Sequence, residues 1–90
     1  MNNEKEITIL LVEDHEFTRM GLSMKIENTP LFRLIGEATD GQEAVIMAQQ
    51  YNPDVILMDI GLPKMDGITA TKKIKEELKL DSAILMFTSR

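Results

Sequence analysis

Apolar residues fall in four short runs, Ile7 to Val12, Leu31 to Ala38, Val55 to Met58 and Ala83 to Phe87, separated by longer segments in which they recur at helical spacing. The first and the last two runs are nearly free of polar residues, which suits strands covered on both faces, as in a parallel sheet. Between them, Glu16 to Glu27 carries Phe17, Met20 and Met24 on one helical stripe. Ala44, Ala48 and Tyr51 repeat the pattern, and Ala70, Ile74 and Leu78 give a third helix. The second helix opens on "DGQE", where Asp40 caps the first turn and Glu43 can reach back to it. Asp66 is placed to cap the third helix in the same way. The reading is β-α-β-α-β-α-β with short connections, an open parallel, doubly wound α/β sheet in one domain over residues 1–90.

Composition narrows the function. The chain has 90 residues, no cysteine, and 10 Lys plus Arg against 15 Asp plus Glu, for a net charge of −5. That balance argues against a nucleic-acid backbone or an anionic membrane as a partner. The opening "MNNEKEI" is no signal sequence, and no apolar stretch approaches the roughly 18 residues of a membrane span, so a cytoplasmic protein is expected. All seven methionines read as core filling.

The chemistry is concentrated where strands end. Glu13 and Asp14 follow the first run and Asp59 follows the third, and strands one and three flank the point at which the strand order of such a sheet reverses. The three carboxylates are therefore expected to converge. Two like charges about 4 Å apart repel by roughly 4 kcal/mol at an effective dielectric of 20, a conflict that a hard divalent cation such as Mg²⁺ removes. Carboxylates with no His or Cys beside them favour magnesium, calcium or manganese over zinc; His15 adjoins the cluster but reads as a solvated residue at a helix start. Thr88 follows "ILMF" as Asp59 follows "VILM", bringing a hydroxyl to the same edge. Carboxylate, ion and hydroxyl together suit phosphoryl transfer, with Asp59 as the nucleophile that forms an acyl phosphate. Singly, each of these residues is an ordinary turn former, as Asp54 and Asp81 are read to be. Their joint placement carries the functional reading.

At these residues the sequence resembles the receiver domain of bacterial two-component response regulators. "ILLVEDHEFTRMGL" is similar to the family's first strand with its acidic pair, and "IGEATDGQEAV" to its second strand and helix. "PDVILMDIGLPKMDGITATKKIK" is similar to the phosphoacceptor strand, loop and third helix, and "ILMFTS" to the fourth strand with its switch threonine. The resemblance implies that Asp59 accepts phosphate from a sensor histidine kinase and shares Mg²⁺ with Asp14, with Glu13 acting through water and with the carbonyl of Gly61. It implies that Thr88 bonds a phosphoryl oxygen, and that Gly61 and Arg90 stand where the family tunes phosphate lifetime. "VEDH" and "IGEATDGQEA" are most similar to receivers that precede a LuxR-type helix-turn-helix domain.

The family pattern continues beyond Arg90 with a helix, a fifth strand bearing an aromatic switch residue, a phosphate-contacting lysine and a fifth helix. Lys64, in the loop after the third strand, is no substitute for that lysine. A C-terminally truncated receiver is thus expected. It would lack the helix that shares the first helix's face and would leave "AILMF" as an apolar edge strand open to self-association. The competing readings are a non-signalling interaction module with a remnant acidic site, an aspartyl-phosphate hydrolase and a flavin carrier. Gly61, where such hydrolases place a second acid, weakens the hydrolase reading, and the absence of a phosphate-cradling Gly/Ser/Thr loop after the first strand weakens the flavin carrier.

Overall fold

A computed structural model describes residues 5–88. Arg90, assigned a role above by resemblance, lies outside the described residues. The elements are β1 (Ile7–Val12), α1 (Glu16–Glu27), β2 (Phe32–Ala38), α2 (Gly41–Tyr51), β3 (Val55–Asp59), α3 (Gly67–Lys72) and β4 (Ala83–Phe87), with a π-helical turn, Lys73–Glu77, continuing α3. The described strands form one parallel sheet in the order β2-β1-β3-β4. The chain moves outward from β1 to β2, then crosses to the other side of β1 to place β3. The order therefore reverses between β1 and β3, and their carboxyl ends flank the crevice that this topology creates.

Alternation along the strands divides the core into two layers. Leu10, Val12, Ile56 and Met58 face α2 and α3, where Ala44, Ala48, Ala70 and Ile74 are small or branched enough for close packing. Ile9 and Leu11 face α1, meeting Ile26 with Leu22, Leu34, Val55 and Leu57 around them. Right-handed crossovers require this placement, one helix on one face and two on the other.

Helix α1 departs from the expected pattern. Its inward side chains are Leu22 and Ile26, whereas Phe17 is 84% exposed and Met20 and Met24 are also exposed. The helix carries two apolar stripes on nearly opposite sides, and periodicity by itself does not say which one meets the sheet. The core-filling role expected of the methionines holds for Met58, which is buried, and for Met47 and Met65, which pack against the core. It fails for Met20, Met24 and Met86, which are exposed, and Met1 lies outside the described residues. Tyr51 likewise lies outside the core that Ala44 and Ala48 enter.

The caps form as expected. Asp40 accepts from the Glu43 N–H at 2.7 Å and Asp66 from the Thr69 N–H at 2.7 Å. Glu43 reaches back one residue further than expected, accepting from the Thr39 N–H at 2.8 Å. Asn52 takes the left-handed conformation that ends α2.

Asp54 ties the start of β3 to β1. Its carboxylate accepts from the Thr8 N–H at 2.9 Å and the Thr8 hydroxyl at 3.0 Å, and its own N–H donates to that hydroxyl. These donors, the backbone N–H first, hold the Asp54 carboxyl below the ordinary carboxylate range. Since the folded value is lower than the unfolded one, the tie stabilises the fold fully above about pH 4 and is lost as pH falls through the folded value. We expect the difference in melting temperature between the parent chain and Asp54→Ala to shrink steadily on acidification below that point, as read by thermal melts at a series of pH values.

Candidate functional site

The carboxyl end of β1 delivers Glu13 and Asp14, and that of β3 delivers Asp59. Each strand holds its acid rigidly because the residues before it are locked in the core: Val12 and Met58 are completely buried and paired in register. One ligand atom from each of Glu13, Asp14, His15 and Asp59 lies within 4.8 Å of all the others. The expected convergence of three carboxylates is therefore observed, with an imidazole added. Glu13 and Asp59 are wholly buried, whereas Asp14 is partly exposed.

Such a cluster is electrostatically unfavourable as it stands, since each carboxylate pair repels by about 4 kcal/mol at 4 Å and an effective dielectric of 20. Local donors relieve part of this. Glu13 Oε2 accepts from the His15 N–H at 2.8 Å and lies 3.1 Å from His15 Nδ1. Asp59 Oδ1 accepts from the Gly61 N–H at 3.2 Å. Arg19 donates to the main-chain carbonyl of Glu13 at 3.0 Å and pairs with Glu37 at 3.5 Å, so its charge is spent near the end of β1 rather than on the carboxylates. Glu13 Oε1 is buried and has no hydrogen-bond partner among the described residues. A buried acceptor left bare is a costly feature that an oxygen-loving cation or its bound water would satisfy. With the His15 ring turned onto Glu13, the carboxylates of Glu13, Asp14 and Asp59 at one end of the sheet make a donor set that fits a hard divalent ion such as Mg²⁺.

The remaining expected residues sit around this centre. Phe87 pairs in register with Asp59, so Thr88, exposed and directly after β4, comes at the same edge of the sheet. Gly61 lies in the loop that leaves β3, and the group that links it to Asp59 is its N–H. Lys64, exposed in the loop after β3, pairs with Asp40 at 3.7 Å. Sequence reasoning missed His15, read as a solvated helix-start residue. Its side chain is half exposed, but its ring reaches back to Glu13, a contact that spacing alone does not reveal.

The loop from β3 to α3 is held tightly. Ile60 N–H donates to the Phe87 carbonyl at 2.8 Å and Gly67 N–H to the Ile60 carbonyl at 2.9 Å. A Cβ at Gly67 would stand 2.5 Å from the Asp59 carbonyl oxygen, and one at Gly41 would stand 1.8 Å from that of Met65. Both glycines let backbone approach backbone immediately around the site.

Known proteins with this arrangement are numerous. The transcriptional regulatory protein LiaR of Bacillus subtilis is 51% identical over 83 residues, covering 92% of this chain and 39% of that protein. The chain thus spans between about a fifth and two fifths of the length of the curated relatives it matches. Among solved structures, the response regulator domain of Thermotoga maritima CheB superposes with a TM-score of 0.88 at 40% identity, covering 94% of this chain and 62% of that one. The receiver domain of the Pseudomonas aeruginosa sensor histidine kinase PA1611, described with a magnesium ion coordinated in its active-site cleft, gives 0.83 at 31% identity, covering 94% and 69%. The family model of the response regulator receiver domain matches residues 9–90. With the acids gathered at the β1/β3 switch point and the family pattern running through nearly the whole chain, this protein belongs to the receiver domains of two-component response regulators.

Proposed function

We propose that Asp59 is the phosphoacceptor and that Asp14, Asp59, the Gly61 carbonyl and, through water, Glu13 hold a Mg²⁺ ion beside it. The observation that carries this reading is the gathering of Glu13, Asp14 and Asp59 within 4.8 Å around a buried carboxylate oxygen that lacks a partner. When bound, the ion would neutralise the carboxylates and the charge of the incoming phosphoryl group. The residues do the rest. A carboxylate oxygen of Asp59 attacks phosphorus in line with the nitrogen of a kinase phosphohistidine; as the P–N bond breaks its electron pair returns to the ring, which, already protonated at its other nitrogen, leaves as neutral imidazole while an acyl phosphate forms on Asp59. The Gly61 N–H holds the other end of the carboxylate in place. Thr88 supplies a hydroxyl to a phosphoryl oxygen.

Receiver domains are signalling modules that interact with histidine kinases. Among the described residues no helix is long and apolar enough to cross a membrane. We assign the chain to the cytoplasm, where ATP-dependent kinases operate, with a sensor histidine kinase as donor and no direct part in nucleic-acid binding. Any turnover of its own is limited to slow self-catalysed phosphorylation and dephosphorylation. Control of transcription, as the name of LiaR indicates for that protein, would belong to a longer polypeptide of that kind.

A second surface supports self-association. Strand β4 is the outer strand of the described sheet on the side away from β2, and on the face that α1 occupies its Ala83 and Leu85 are exposed, Leu85 by 59%. An apolar edge of this kind favours pairing with a second copy.

One experiment tests both parts. Mg²⁺ is titrated with and without beryllium fluoride, a mimic of the acyl phosphate, into the parent chain and an Asp59→Asn variant, with amide NMR and sedimentation velocity as readouts. The signals of Asp14, Asp59 and Thr88 are expected to move in the parent and not to respond to the fluoride in the variant. Sedimentation is expected to show concentration-dependent association. Absence of any response in the parent would contradict the phosphoacceptor reading, and a monomer at every concentration would contradict the association.

A further inference from the structure

Helix α1 is capped differently from its neighbours. The N-cap position favours Ser, Thr, Asp and Asn because a short side-chain oxygen can accept from the first free N–H groups of the helix. Asp40 and Asp66 do this for α2 and α3. At the same position in α1 stands His15, whose side chain makes no capping hydrogen bond. Its ring turns back instead, placing Nδ1 3.1 Å from Glu13 Oε2, while its backbone N–H reaches the same oxygen at 2.8 Å. A carboxylate oxygen can only accept, so Nδ1 carries the proton in this bond. Asp14 Oδ1 stands further off, at 3.8 Å, beyond hydrogen-bond range of Nδ1.

Both donors thus fall on one oxygen of a wholly buried carboxylate, and the other oxygen, Oε1, has no hydrogen-bond partner. A carboxylate gripped at one oxygen by two donors has its plane fixed and cannot exchange its oxygens by rotation. We propose that His15 is a positioning residue for the ion site. It gives up helix capping to clamp Glu13 Oε2, which reserves Oε1 for the cation or its coordinated water. The inference rests on the metal-dependent phosphoacceptor reading above. It extends that reading to a side chain which touches a ligand rather than the ion, a kind of outer partner whose loss typically costs 10- to 100-fold in affinity.

The clamp predicts that affinity and stability move in opposite directions. His15→Ser supplies a good cap and removes the ring donor. Mg²⁺ dissociation constants, read at one fixed pH from amide chemical shifts, are compared with ion-free thermal melts for the parent, His15→Ser, Glu13→Met and the double variant. Glu13→Met keeps the side-chain volume and removes both carboxylate oxygens. The expected result for His15→Ser is a melting temperature at or above that of the parent together with a dissociation constant about tenfold higher, the lower end of the range for such partners. In the Glu13→Met background the same substitution should change the constant by less than about twofold, because nothing remains to be clamped. A dissociation constant in His15→Ser within about twofold of the parent's, or an equal loss with and without Glu13, would overturn the inference while leaving the phosphoacceptor reading intact. No Mg²⁺ binding by the parent would overturn both.

Discussion

Asp59→Asn should abolish phosphoryl uptake from a small donor such as acetyl phosphate, lowering its rate by on the order of 10³-fold or more, as expected when a covalent nucleophile is removed. Its amide cannot form the acyl phosphate, and the neighbouring acids are poorly placed to take over: Glu13 is held through Oε2 by His15, and Asp14 sits in the loop after β1, the other strand of the pair. The fold should survive. Asparagine matches aspartate in shape, and its carbonyl can still accept from the Gly61 N–H. It also removes one of three crowded like charges, so the ion-free melting temperature should equal or exceed that of the parent. Phosphoryl uptake by intact-mass measurement, paired with circular dichroism melts, separates the chemical loss from any structural one.

Gly41→Ala should produce the largest loss of stability. A Cβ at this first residue of α2 would lie 1.8 Å from the Met65 carbonyl oxygen and 2.6 Å from its carbon, and neither is the far end of a flexible side chain. Either the first turn of α2 or the loop carrying Gly61 and Met65 must move. Forced overpacking of this kind costs about 3 kcal/mol, at the upper end of the usual range, or roughly 12 to 24 °C of melting temperature in a domain of this size. Because that loop leads out of Asp59, Mg²⁺ affinity should fall along with stability. Gly21 provides the control: a Cβ there meets nothing within 4 Å, so Gly21→Ala should stabilise α1 by about 1 kcal/mol. Thermal melts of the two variants beside the parent decide the matter.

Much of this architecture is legible in the chain because the governing signals are local. The apolar runs mark β1, β3 and β4, which begin where those runs begin, but the expected cover on both faces holds for β1 and β3 and not for β4, where Ala83, Leu85 and Met86 are exposed. The caps at Asp40 and Asp66 are readable because a short acidic side chain before a helix acts within three residues. The convergence of Glu13, Asp14 and Asp59 follows from topology, since a parallel sheet with its reversal at β1/β3 gathers those strand ends.

What escaped the sequence depends on choices between equivalent local options. In α1, both Phe17-Met20-Met24 and Leu22-Ile26 satisfy helical spacing, and only packing against Ile9 and Leu11 selects the second stripe. His15 occupies a position where the side chain ordinarily turns to its own helix or to water, and only the buried carboxylate of Glu13 behind it turns the ring the other way. The extra turn of helix at Lys73–Glu77 relaxes to π geometry, closed by Leu78 N–H donating to the Lys73 carbonyl at 2.9 Å, and periodicity over so short a stretch cannot separate that from an α-turn.

The central claim is that Asp59 accepts a phosphoryl group in a reaction that depends on a divalent ion. Its most direct test is to incubate the parent chain with acetyl phosphate, with and without Mg²⁺, and to find any modified residue by borohydride trapping and peptide mass spectrometry. The account predicts a single phosphoryl group, located on Asp59 and formed only with the ion present. Modification at His15 or at another carboxylate, or equal labelling without Mg²⁺, would contradict it.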